Sequence, residues 1–208
     1  MRIDRLRLAE AEFLRAYPEA FASPELAAIG KRHRIQRRTE EARAALAEAR
    51  FGRHSAVLEA IVKLVSRSSM VSLFEKPRFR DLVHGLSRDD RAWLAEGFRA
   101  LLHGDAERGF NQVLDLLVAH QLGKWSLITI VPFYLRPETE LFVKPTTTRN
   151  ILRFLELEEL VYRPRPSWAF YAGYRAAIDA CKLQVDPRLS INNAAFTGFL
   201  MMVLQDAR

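Results

Sequence analysis

Residues 124–148 interrupt an otherwise regular run of helical periodicity, and any fold for this chain has to accommodate the interruption. The stretch from Lys124-Trp125 to Arg136-Pro137, with Leu141-Phe142-Val143-Lys144-Pro145-Thr146-Thr147-Thr148 after it, holds three prolines, four aromatics, three cations and a threonine triplet. Proline has no N–H to donate and pushes its predecessor out of the α region, so Pro132, Pro137 and Pro145 each predict a break or a fresh start. Leu127 to Val131 reads as a helical turn or a short strand; we expect a short helix broken at Pro132, with the threonine triplet starting the next helix.

The flanking segments read as amphipathic helices with recognisable ends. Leu6, Ala9, Phe13 and Leu14 share a face over residues 4–16, and Pro18 stops that helix. Ser23-Pro24-Glu25 supplies an N-cap, a proline at the first helical position and an acid in the first turn, which predicts a long helix to about Arg50. Over residues 55–65, Val57, Leu58, Ile61, Val62, Leu64 and Val65 cover most of the circumference, the pattern of a central helix. Ser87, Asp105, Ser167 and Asn192 or Asn193 are the predicted caps of later helices.

These elements predict an all-α fold: an irregular multi-helix domain with a non-helical, proline- and aromatic-rich central segment. The 208 residues read as one helical domain over 1–208, or as a basic helical arm over 1–52 on a core over 53–208. A single domain of this size buries roughly 70% of its unfolded surface. No internal repeat or flexible linker divides it.

Composition excludes several classes. The single cysteine, Cys181, cannot form an internal disulfide, and its place in a helix beside Ala180 and Lys182 reads as a packed small residue. The N-terminal residues mix both charge signs and lead into no apolar run, so no secretory signal is read there, and a cytoplasmic location is expected. The longest nearly apolar run, residues 194–204, falls short of the ~20 residues a membrane span needs, so no membrane partner is expected. His33, His54, His84, His103 and His120 stand alone without a second ligand one helical turn away, and no metal site is expected. No glycine-rich phosphate loop is present, so no cofactor is expected, and no reaction type is legible.

Charge is more informative. The net charge of +7 is unevenly spread: residues 1–100 carry 20 Lys and Arg against 14 Asp and Glu, hence +6, and residues 101–208 carry 12 against 11, hence +1. An excess of this kind favours an anionic partner, nucleic acid first. Residues 31–38 hold five cations in eight positions. Successive helical residues point around the whole cylinder, so Lys31, Arg34 and Arg38 are the subset expected to face one phosphate backbone. The plain alternative is a solvated helix face.

The segment Lys144-Pro145-Thr146-Thr147-Thr148-Arg149 is the second candidate. Free N–H groups and the hydroxyls of Thr146 and Thr147 at a helix start suit a phosphate or carboxylate, with Lys144, Arg149 and Arg136 close by. Its plain alternative is that one threonine is simply the N-cap and Lys144 points to solvent. Two functional readings follow, a non-catalytic DNA- or RNA-binding protein and a small-anion pocket, enzymatic or not, around residues 124–149. The alanine-rich stretch at 40–50 permits a homo-oligomer.

The pattern Trp125…Thr129…Pro132…Arg136-Pro137…Phe142-x-Lys144-Pro145, followed by Tyr162-x-Pro164-x-Pro166-x-Trp168, resembles a helical bacterial protein family of unknown function. It covers about the last 85 residues. The resemblance implies a helical fold and carries over no catalytic residue.

Overall fold

Eleven α-helices and three short 3-10 turns make up residues 1–206 of this computed structural model, the residues described, and no strand occurs among them; side chains at 29, 30, 32, 205 and 206 are not described. In chain order the helices are α1 (Ile3–Ala16), α2 (Pro24–His33), α3 (Ile35–Ala45), α4 (His54–Arg67), α5 (Glu75–Gly85), α6 (Arg88–His103), α7 (Ala106–Ala119), α8 (Trp125–Leu135), α9 (Pro145–Phe154), α10 (Trp168–Lys182) and α11 (Asn193–Asp206). The fold is all-α.

Several helix starts carry the predicted caps. Ser87 accepts the Asp90 N–H at 3.1 Å, Asp105 accepts from Arg108 at 3.0 Å, and Asn192 accepts from Ala195 at 2.8 Å. Ser167 does the same for Phe170 at 3.4 Å. Each satisfies a backbone donor that the first helical turn leaves free.

The centre of the molecule is α8. All residues from 127 to 135 are buried, and α3, α4, α6 and α7 pack around them. The expected break at Pro132 does not occur. Pro132 sits inside the helix, and its carbonyl still accepts the Arg136 N–H at 2.9 Å. A proline there forfeits one backbone bond and costs roughly 3 kcal/mol in an exposed helix. Burying Val131, Phe133, Tyr134 and Leu135 at about 1.5–3 kcal/mol each outweighs that cost. Apart from the cap residue Lys124, only residues 136–144 of the supposedly non-helical segment are extended or turn.

The expected helix from Pro24 to Arg50 is also corrected. It is cut at Arg34, whose φ of 51° and ψ of 38° are left-handed, and α3 leaves at a new angle to pack on α8 and α4. That turn buries Arg38, Thr39 and Ala42. The basic segment therefore rests on the common core, which runs from Leu6 to Leu200.

Helices α6 and α7 form the closest helix pair. At Gly109 an added Cβ would lie 2.0 Å from the Leu101 nitrogen and 2.6 Å from its Cα, so the two backbones touch where α7 has no side chain.

Candidate functional site

A cleft of about 950 Å³ opens between two groups of helices. One side is built by α2, α3 and the Ser69-Met70 segment after α4, and the other by α9, Tyr174 of α10 and the first turns of α11. Leu26, Ile35, Phe133, Phe142, Met201 and Met202 give it a mostly apolar lining. Lys31, Arg34, Arg37 and Lys144 also line it and are exposed, as is Glu40, so the rim is predominantly cationic.

Three buried hydroxyls fix the walls. Tyr134 donates to Ser68 Oγ at 2.8 Å, and the same oxygen accepts the Met70 N–H at 3.1 Å, which fastens the loop after α4 to α8. Thr129 donates to the Trp125 carbonyl at 2.6 Å and accepts the Val143 N–H at 3.1 Å, pinning the extended residues before α9 onto α8. Thr148 hydrogen-bonds Tyr174; burial raises that phenol above its ordinary range, with the Thr148 bond opposing. On the α2 side of the cleft, His33 Nδ1 lies 3.0 Å from Ser69 Oγ and ties α2 to the loop after α4.

The predicted anion site is divided by this geometry. Lys144 and Thr147 line the cleft, whereas Thr146 is exposed outside it. Arg149 lies over the Tyr162 ring with its guanidinium 5.9 Å from the centroid. Arg136 donates to the Leu102 carbonyl at 2.7 Å and pairs with Glu140 at 3.3 Å, away from the cleft. No threonine caps α9: Lys144 is the N-cap residue and Pro145 takes the first helical position.

The basic run is divided as well. Lys31 and Arg34 line the cleft, so two cations assigned to one candidate site share this cleft with two residues of the other. Arg38 does not join them. Its side chain is only 8% exposed and pairs with Glu41. Burial would raise the Glu41 carboxyl, but hydrogen bonds from Arg38 and Arg37 outweigh it and hold that group below the usual carboxylate value. The physical reason is the Arg34 turn, which rotates residue 38 away from the face a continuous helix would have given it.

The α11 contribution, with Asn192, Ala195, Thr197 and Gly198 on the cleft, escaped sequence reasoning. The available signal was a set of small residues inside an apolar terminal helix. At Gly198 an added Cβ would meet nothing within 4 Å, which makes this position open space on the cleft wall.

A second polar cluster is closed rather than open. Glu140, 5% exposed, accepts the Tyr171 hydroxyl at 2.7 Å and Arg175 Nη1 at 2.9 Å on each oxygen. Asn193 Nδ2 donates to the Glu140 carbonyl at 3.1 Å. These bonds lock residues 136–144 to α10 and α11. The Tyr171 phenol is pushed well up, by burial first and by the Glu140 charge second.

Cys181 is buried, and burial pushes its thiol up to about 11. At pH 8 it is both protonated and covered, so a thiol-specific reagent should leave the native protein unlabelled over minutes and label one cysteine per chain in denaturant. Rapid labelling of native protein would show the packing around α10 to be wrong.

Among the described residues no three His, Cys, Asp or Glu side chains gather in one place, and no helix is long and apolar enough to cross a membrane. No family model, curated protein or solved structure matches the chain.

Proposed function

We propose that this protein binds an amphipathic organic anion, its apolar body in the cleft and its acidic group at the rim formed by Lys31, Arg34 and Lys144. The observation that carries the reading is a coincidence in one place. A mostly apolar cavity of ligand size is edged by three cations that have no carboxylate partner among the described residues. Cations left unpaired beside an apolar surface suit a carboxylate or phosphate group on a hydrophobic molecule, through charge-assisted hydrogen bonds. A duplex suits the arrangement less well, because the cations surround a concavity and Arg38 is removed from the set.

The test uses a fluorescent long-chain carboxylic acid and its uncharged methyl ester as probes. The acid is expected to bind saturably and the ester about tenfold more weakly, the effect of losing one charged hydrogen-bonded contact. Gly198→Leu should fill the cleft and weaken acid binding at least tenfold without lowering the melting temperature, since the site is open and leucine is the better helix former. Equal affinity for acid and ester, or unchanged binding by Gly198→Leu, would overturn the reading.

A further inference from the structure

We infer that the loop between α4 and α5 docks the protein on an anionic lipid bilayer. Leu73 and Phe74 at its tip are 78% and 84% exposed, the two most exposed large apolar side chains of the N-terminal half among the described residues. They are neighbours in sequence and sit directly before Glu75, the first residue of α5. The loop is rooted in the body of the molecule by Ser68 and Tyr134, so the tip projects from a fixed base.

The surrounding charge selects the partner. Residues 63–78 hold four cations, Lys63, Arg67, Lys76 and Arg78, against one acid, Glu75, hence +3. Glu75 is itself engaged, accepting the Ser126 hydroxyl at 2.6 Å. None of the four cations has a carboxylate partner among the described residues. Two apolar side chains at a tip are far too small a surface for a stable protein interface, which needs about 800 Å² from each partner. They match the depth of the headgroup and acyl boundary, where apolar tips insert and cations meet anionic lipid. A surface contact of this kind needs no spanning helix.

The loop also forms part of the cleft: Ser69 and Met70 line it, three or more residues before the tip. Docking through Leu73 and Phe74 therefore engages the same loop that borders the cleft. That the bilayer is the source of the cleft's ligand rests on the reading given under Proposed function; the docking itself does not.

Co-sedimentation of the full chain with phosphatidylcholine vesicles, with and without phosphatidylglycerol, tests the inference. The protein should sediment with the anionic vesicles, at least tenfold more weakly with the neutral ones, and less at high salt. The double variant Leu73→Ser, Phe74→Ser should lose at least tenfold in anionic-vesicle binding while keeping its affinity for the free fluorescent acid. Gly198→Leu should show the opposite pattern, so loss of acid binding by the wild type with vesicle binding intact would fail the cleft reading alone. Absence of anionic-vesicle binding at low salt would overturn the docking, as would undiminished binding by the double variant. So would self-association of the wild type that the double variant abolishes, which assigns the tip to a protein contact.

Discussion

Replacing Gly109 with alanine is expected to destabilise the protein by roughly 3 kcal/mol, at the upper end of what overpacking does in a close-packed core. The new methyl carbon would have to share space with the Leu101 backbone at 2.0 Å, where non-bonded carbons normally sit about 3.5–4.0 Å apart. The Leu101 backbone cannot rotate away as a side chain would, so α6 and α7 must separate. Phe98, Leu101, Phe110 and Val113, all buried in these two helices, then lose contact together. Helix propensity argues the other way, since alanine is favoured over glycine by about 1 kcal/mol in a helix interior. The urea midpoint decides between them: a fall with unchanged slope supports the contact, and a rise would show that the helices are not packed this closely. At Gly198 both arguments have the same sign, and alanine there should stabilise slightly.

The second large effect is expected at Glu140. Glu140→Ala should cost about 3 kcal/mol, because it strips the acceptor from a fully buried tyrosine hydroxyl and the counter-charge from Arg175 at once. Tyr171 would still accept the Leu141 N–H at 3.2 Å, but its own O–H would keep only a weak contact to the Leu141 carbonyl at 3.4 Å. Arg175 is 30% exposed in its side chain, and water reaching it holds the loss below that of a fully sealed ion pair. Glu140→Gln retains an oxygen for Tyr171 and should cost about half as much. Equal stability of the wild type and the alanine variant in urea would show the cluster to be dispensable. A midpoint shift confined to denaturant, with acid binding preserved at 25 °C, would place its role in holding residues 136–144.

Much of the helical framework is legible in the sequence because its signals are local. Ser87, Asp105 and Ser167 cap the helices they precede, and the all-round apolar pattern of residues 57–65 does mark a buried helix. The two misjudged elements are those where tertiary packing overrides a local rule. Pro132 is carried through α8 by burial on every side, and Arg34 makes a left-handed turn with no glycine, asparagine or proline to announce it. The candidate site is half legible for the same reason. Lys31, Arg34, Lys144 and Thr147 are visible as cations or as a helix start, but nothing in their spacing says that they share a cleft. That fact depends on α11, almost fifty residues beyond Thr147, and on a turn that removes Arg38 from the face where helical spacing puts it.

The Ser68 oxygen receives hydrogens from Tyr134, from Met70 and, at 3.4 Å, from Val71. A single atom thus joins the projecting loop to the last turn of the innermost helix. A mechanical load applied to Leu73 and Phe74 therefore reaches that helix from both ends of the tip, through Ser68 to Tyr134 and through Glu75 to Ser126.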